Sequence, residues 1–130
     1  MIRVGVFGAG GRMGSTVCRA VIDAPDMELV AAVDPERSGT PLAEVGVEGT
    51  ELRIASEAAE LAHADAEVAV DFTVLGAARE NAHWCAAAGV HAVVGTTGFG
   101  DAELTELAEL FRRAPVNAVI APNFAIGAVL

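Results

Sequence analysis

The sequence predicts an α/β fold built on a doubly wound parallel sheet, and three observations carry that expectation. Short, uninterrupted runs rich in Val, Ile and Ala, the pattern of strands covered on both faces, alternate with Ala-rich stretches of helical pattern. A cluster of glycines follows the first such run directly and opens the first helix. The chain is 130 residues long and 53% hydrophobic, enough for one domain with a substantial core, and no shift in composition divides it.

Taken in order, Ile2 to Phe7 reads as a strand ending at Gly8, and Arg12 to Ala24 as a helix stopped by Pro25. Met27 to Val33 is a second strand, closed by Asp34-Pro35. Residues 35 to 50 are rich in Pro, Gly, Thr and Glu and read as loop, with some helix near Leu42 to Val45. Leu52 to Ala55 is expected as a short strand, and Ser56 as the cap of a helix running to Ala64. The rhythm then repeats. Glu67 to Phe72 is a strand; Thr73 is expected to cap a helix through Ala88, closed by Gly89. His91 to Val94 is a strand, Asp101 is expected to cap a helix to Arg113 stopped by Pro115, and Asn117 to Ala121 is the last strand. Right-handed crossovers between such strands produce the doubly wound arrangement. The chain ends on the apolar run from Phe124 to Leu130 with no polar tail, so it is expected to continue into a second domain.

Composition excludes several chemistries. The formal net charge is −10, and all eight basic residues are Arg. Without Lys there is no Schiff base, no pyridoxal anchor and no Walker A lysine; without Tyr there is no Tyr/Lys proton-donor pair. Such acidity is the wrong sign for a phosphate-backbone binder, so no nucleic-acid partner is expected. No apolar run approaches the roughly 20 residues of a spanning helix, so no membrane partner is expected either. The N-terminal segment lacks the pattern of a signal peptide, and a cytoplasmic protein is expected. Cys18 and Cys85 have no ligand-like spacing and read as two buried thiols rather than a disulfide. His63, His83 and His91 form no pair with metal-ligand spacing and read as structural or solvated, so no metal site is expected. No nucleophile-elbow motif supports a Ser/His/Asp triad.

The strongest chemical signal is Gly8-Ala9-Gly10-Gly11-Arg12-Met13-Gly14. Its spacing departs from G-x-G-x-x-G, since Met13 stands where the last Gly should be; it fits Gly8-x-x-Gly11-x-x-Gly14 with Gly10 as an extra permissive position. Between a strand and a helix, such a loop lets backbone N–H groups approach a pyrophosphate at a helix N-terminus, whereas a bare glycine run would be only a tight turn. Arg12 lies beside the phosphates or adenine, or is simply solvated. Asp34 ends the second strand 20 residues after Gly14, the spacing of an acid that binds adenosine ribose hydroxyls; it also suits a turn before Pro35. An acid there repels a 2′-phosphate and favours NAD, and Arg37 softens that preference. Gly95-Thr96-Thr97-Gly98 and Ala121-Pro122-Asn123-Phe124 follow later strands and fall on the same carboxyl-end rim, where such sheets bind ligands; ordinary turns are the alternative. Asp71 and Thr73 reach that rim too, Asp71 with a structural alternative and Thr73 with a capping one.

Together, Val6-Phe7-Gly8-Ala9-Gly10-Gly11-Arg12-Met13-Gly14, Val70-Asp71-Phe72-Thr73, Val94-Gly95-Thr96-Thr97-Gly98-Phe99 and Ala121-Pro122-Asn123-Phe124-Ala125-Ile126-Gly127 resemble the 4-hydroxy-tetrahydrodipicolinate reductase (dihydrodipicolinate reductase) family of bacterial lysine and diaminopimelate biosynthesis. The first motif is shared loosely with many dehydrogenases; the last two are far more specific. The resemblance spans residues 1–130 but only the family's N-terminal, Rossmann-type dinucleotide-binding part. It implies reduction of a cyclic, dicarboxylated imine-type intermediate with NADH or NADPH, NADH being favoured by Asp34. It also implies that Gly8, Ala9, Gly10, Gly11, Arg12 and Met13 hold pyrophosphate and adenosine, and that Asp34 binds the adenosine ribose. Gly95, Thr96, Thr97, Ala121, Pro122, Asn123 and Phe124 would then meet the nicotinamide end, Thr97 also touching a substrate carboxylate. The family's proton-donor segment, its carboxylate clamp and the sheet that makes it a homotetramer belong to the following domain, so no catalytic residue is assigned here and the isolated chain is expected to be inactive. A module that binds NAD without catalysis, such as a redox sensor, is the alternative from another class. A further two-domain dehydrogenase, acting on an amino acid or semialdehyde, is opposed by the last two motifs.

Overall fold

The computed structural model describes residues 1–121, in which a parallel sheet is covered by helices on both faces. Its elements are β1 (Ile2–Phe7), α1 (Arg12–Asp23), β2 (Met27–Val33), α2 (Ala59–His63), β3 (Val68–Asp71), α3 (Leu75–Ala88), β4 (His91–Val94), α4 (Asp101–Arg112) and β5 (Ala118–Ile120). Short 3-10 turns at Pro35–Arg37 and Leu42–Val45 interrupt the long connection after β2.

Among the described residues the sheet has five strands in the order β2-β1-β3-β4-β5, and every pairing is parallel. The chain moves outward from β1 to β2, then returns across β1 to β3 and continues through β4 to β5. With right-handed crossovers, that reversal puts α1 on one face and α2, α3 and α4 on the other. The core confirms the division. Val4, Val6, Cys18, Val21, Leu42 and Ile54 pack on the α1 face, while Phe7, Leu61, Ala78, Ala82, Leu107 and Phe111 pack on the opposite face. Neighbouring residues change face along β2: Leu29 joins the α1 side, yet Ala31 joins the other and Ala32 returns. The register slip between Val4 and Gly5 explains this, because it leaves Val30 as an extra residue and resets the alternation. Both cysteines are buried and free, as expected, one in each half of the core.

Several local expectations are corrected. Leu52 to Ala55 forms no strand. It lies along the outer edge of β2 through a single parallel bridge from Ala55 to Val33, supported by the Ala55 N–H donating to Ala32 O (2.8 Å) and the Asp34 N–H donating to Ala55 O (2.9 Å). The segment occupies the place of an outermost strand, but it touches β2 at that one bridge and turns its other side to residues 39–42, where Arg53 bridges Pro41 and the Ile54 N–H donates to Thr40 O (2.8 Å). Ser56 caps no helix: α2 is a short turn whose N-cap is Ala58. Thr73 is not a cap either, since α3 starts after Val74 and the Thr73 hydroxyl donates to Asp71 instead. Asp101 is the first residue of α4 rather than its cap, a position it still favours electrostatically. The Gly89 stop is as expected, with φ of 75° at the left-handed C-terminal position.

Candidate functional site

The reversal between β1 and β3 opens a crevice at the carboxyl ends of the strands, the place where doubly wound sheets bind ligands. Two adjoining clefts occupy it. One, of about 450 Å³, is lined by Gly8, Gly11, Asp34, Glu36 and Ala77 among others. The other, of about 420 Å³, is lined by Met13, Leu75, Gly95, Thr96 and Thr97 among others. Phe72, Thr73 and Val74 line both, so the β3–α3 loop forms a shared wall and the two spaces read as one track along the sheet edge.

The glycine loop builds the first end. Gly8 sits at φ 77°, a conformation that favours glycine, and its N–H donates to Val33 O at 2.7 Å. Gly11 is the N-cap of α1 and supplies no side-chain bond, and no acidic residue lies in the first turn of the helix, which faces the cleft. A Cβ on Gly14 would fall inside the Gly8 carbonyl, so Gly14 is what lets α1 approach the loop this closely. Arg12 is exposed at the first position of α1. Ala9 is fully buried and its N–H donates to Val33 O, so its side chain belongs to the core. Met13 lies with Thr97 on the second cleft rather than on the first.

Asp34 ties this end together. Its Oδ2 accepts from the Gly10 N–H (3.0 Å) and its Oδ1 from the Glu36 N–H (3.1 Å). The turn and ribose roles are therefore compatible: a carboxylate offers about four acceptor positions, and among the described residues two are used. The Arg37 stem crosses the same spot, since a Cβ on Gly10 would lie 2.5 Å from Arg37 Cγ and 2.8 Å from Asp34 Oδ2.

The second end depends on side chains. Asp71 is buried at 3% exposure, yet among the described residues no cation pairs with it. Its Oδ1 accepts from the Thr73 N–H (2.8 Å) and the Thr73 hydroxyl (2.6 Å), and its Oδ2 from Asn81 Nδ2 (2.9 Å). Thr96 is also buried, and its hydroxyl donates to the Thr73 carbonyl at 2.6 Å. Gly95 lies beneath Phe72, whose ring occupies the space that a Cβ would need. Thr97 is exposed on the cleft rim. Ala121 donates its N–H to Val94 O at the end of the described residues, whereas Pro122, Asn123 and Phe124 lie outside them.

Other chemistry-bearing residues stand apart from the cleft. Burial pushes the thiols of Cys18 and Cys85 up to about 12, which removes them as nucleophiles near neutral pH. His83 Nε2 lies 2.9 Å from Glu106, His91 Nδ1 accepts from the Asn117 N–H, and His63 is exposed beside Glu60. Among the described residues no cluster of His, Cys, Asp and Glu is arranged to hold a metal, and no helix is long and apolar enough to cross a membrane. The sequence did not single out Glu36, Val74, Ala77 or Asn81. Placement at a strand's carboxyl end would have flagged Glu36 and Val74, but nothing local flags Asn81.

The family model for the N-terminus of dihydrodipicolinate reductase matches residues 2–124. The chain belongs to that family. It is similar to the 4-hydroxy-tetrahydrodipicolinate reductase of Methanothermobacter thermautotrophicus, with 48% identity covering 98% of this chain and 49% of the other. The reductase of Desulfitobacterium hafniense shares 43% identity over 99% of this chain and 49% of its own length. Among solved structures, the dipicolinate-bound dihydrodipicolinate reductase from Paenisporosarcina sp. TG-14 superposes with a TM-score of 0.79 at 32% identity, covering 99% of this chain and 50% of that one. The chain thus spans about half the length of the reductases it matches.

Proposed function

We propose that this chain is the dinucleotide-binding half of a reductase that reduces a cyclic, dicarboxylated dihydrodipicolinate-type intermediate in diaminopimelate and lysine biosynthesis, with NADH preferred over NADPH. The observation that carries this reading is the track along the carboxyl edge of the sheet, with a glycine loop and acid at one end and a Gly-Thr-Thr segment at the other. The residues suit an extended dinucleotide. Gly8, Gly10 and Gly11 bring backbone close, and the uncapped N-terminus of α1 receives the pyrophosphate. Arg12 stands beside the phosphates, and Ala9 takes part only through the fold of the loop. Asp34 accepts from the adenosine ribose hydroxyls with the positions that Gly10 and Glu36 leave open.

At the other end, Met13, Gly95, Thr96 and Thr97 shape the nicotinamide site, with Ala121, Pro122, Asn123 and Phe124 following on the same rim. Thr97, exposed there, also meets a substrate carboxylate. The nicotinamide supplies hydride when bound; this half holds and orients it against the substrate, which is how such a domain contributes to rate. The proton donor and the carboxylate clamp lie in the other half of the reductase, as does the sheet through which it forms a homotetramer. Cofactor preference follows from Asp34, whose charge opposes a 2′-phosphate, while Arg37 crossing Gly10 moderates it.

Titration of the chain with NADH and with NADPH, followed by nicotinamide fluorescence at low salt, tests this directly. Saturable binding, tighter for NADH, is expected. Asp34→Ala is expected to weaken NADH by about 1–3 kcal/mol through the ribose hydroxyls left without an acceptor, and NADPH by less. Equal losses for the two would reduce Asp34 to a turn residue, and absence of binding by both would overturn the reading for this chain.

A further inference from the structure

A buried carboxylate is costly without a cation, and Asp71, which has none among the described residues, ends β3 directly before the loop that lines both parts of the cleft. Among the described residues its side chain accepts three hydrogen bonds, all from neutral donors, two from Thr73 and one from Asn81. Thr73 is the centre of the loop that lines both clefts. The methyl of Thr73 abuts the glycine loop, 3.0 Å from where a Gly8 Cβ would stand, and its carbonyl accepts from the Thr96 hydroxyl. The Asp71 main-chain carbonyl also accepts from the Gly95 N–H at 2.8 Å. One side chain therefore reaches, through Thr73, the loops that form the two ends of the track. Asn81, in the second turn of α3, lines neither cleft, and its amide orients the carboxylate from behind.

We propose that Asp71 and Asn81 are positioning residues for dinucleotide binding: Asn81 holds the Asp71 carboxylate, which fixes the Thr73 loop and thereby sets the separation of the glycine loop and the Gly95–Thr97 segment. The inference deepens the dinucleotide-binding reading and rests on it for its effect on affinity. Its mechanical part, control of the two loops, stands independently. Neither residue touches the ligand in this account. Loops fixed beforehand reduce the ordering that binding would otherwise demand.

The test uses two variants of one residue in the 130-residue chain. Asn81→Leu removes the donor and leaves Asp71 Oδ2 unpartnered; Asn81→Asp places a second carboxyl against the first. Two carboxyls within hydrogen-bond distance cannot both ionise readily, so they share a proton until the pH is high enough to remove it. The Cys85 thiol, which interacts with Asp71, is pushed up to about 12 by burial first and then by the Asp71 charge, so it stays protonated through this range. NADH affinity and amide hydrogen exchange at residues 72–75 and 95–98 are measured at about pH 5.5 and about pH 8.5.

Asn81→Leu is expected to weaken NADH about tenfold or more at both pH values and to speed exchange in both loops. Asn81→Asp is expected to bind and exchange like the parent at the lower pH and like Asn81→Leu at the higher, a response that general loss of packing does not produce. Unchanged loops in both variants overturn the proposal, and so does weakening in Asn81→Asp that ignores pH. If Asn81→Leu does not fold, the pH response of Asn81→Asp decides alone. If the parent chain binds no NADH while loop exchange follows the expected pattern, the dinucleotide reading falls and the positioning pair stands.

Discussion

At the glycine-loop end of the cleft the backbone is held in place by side chains that are absent, whereas at the β4 end it is held by side chains that bond one another. Gly14 and Gly10 exist to let α1, Asp34 and the Arg37 stem close on the loop. Asp71, Thr73, Thr96 and Asn81 do the opposite work, filling the space between β3, β4 and α3 with hydrogen bonds. Damage to the first end should thus be steric, abrupt and dependent on which glycine is changed. Damage to the second should be graded, with each lost bond costing its own increment.

The sharpest test of this contrast lies within the glycine loop. A Cβ on Gly14 would run into the backbone of Gly8, which cannot rotate away, so Gly14→Ala is expected to destabilise the fold by about 3 kcal/mol or more in denaturant unfolding. Gly11 differs. Its backbone is extended at φ −82°, and its added Cβ would meet only Gly8 O, at an ordinary 3.4 Å. Gly11→Val should then cost on the order of 1 kcal/mol, as a poor N-cap, while its side chain enters the cleft and removes NADH binding. Two glycines three residues apart would separate into a folding residue and a ligand-site residue. Equal destabilisation by the two substitutions would mean that close packing, rather than cleft access, explains the whole motif.

A smaller effect is expected at the other end. Thr96→Val keeps the shape of a side chain that is 6% exposed but removes the donor to the Thr73 carbonyl. The loss should be about 1–2 kcal/mol of stability, the cost of one buried acceptor left without its bond. NADH affinity should fall with it as the β4 loop loosens. A stability loss as large as that of Gly14→Ala would erase the distinction between the two ends.

What the sequence made legible follows the same line. The glycine loop and Asp34 could be read because their geometry is carried within short stretches, a strand end followed by a helix start and then the next strand end. The alternation of apolar strands and Ala-rich helices likewise announced the parallel sheet. The β4 end was only partly readable. Gly95 and Thr96 were singled out as ligand contacts, yet Gly95 also accommodates the Phe72 ring and the Thr96 hydroxyl bonds Thr73, contacts more than 20 residues apart in the chain. Capping residues misled for a related reason: Thr73 has a hydroxyl suited to a helix start, but the Asp71 carboxylate is the stronger acceptor nearby. Leu52 to Ala55 has a strand's composition, but it meets β2 at the single Ala55–Val33 bridge while Arg53 bridges back to Pro41, so no continuous ladder forms along either neighbour.

The smallest expected effect concerns a tie on the surface of that second region. Glu106 on α4 accepts two bonds from Arg79 of α3, at 2.8 and 2.7 Å, and lies 2.9 Å from His83 of the same helix. The Arg79 bonds first, and then His83, hold the Glu106 carboxyl down at about 2 against an ordinary 4.5. A carboxyl lowered on folding contributes stability above its unfolded value and loses it as protons bind to both states. The contribution should therefore be complete above about pH 4.5 and fade as the pH falls toward 2. Glu106→Gln should flatten that part of the unfolding midpoint against pH and leave NADH affinity unchanged, since none of the three groups lines the cleft. Because the pair is solvent-accessible, its effect should shrink further with added salt and stay below that of Thr96→Val. A larger loss would show that the α3–α4 tie, rather than the buried bonds around Asp71, is what holds the second end of the cleft.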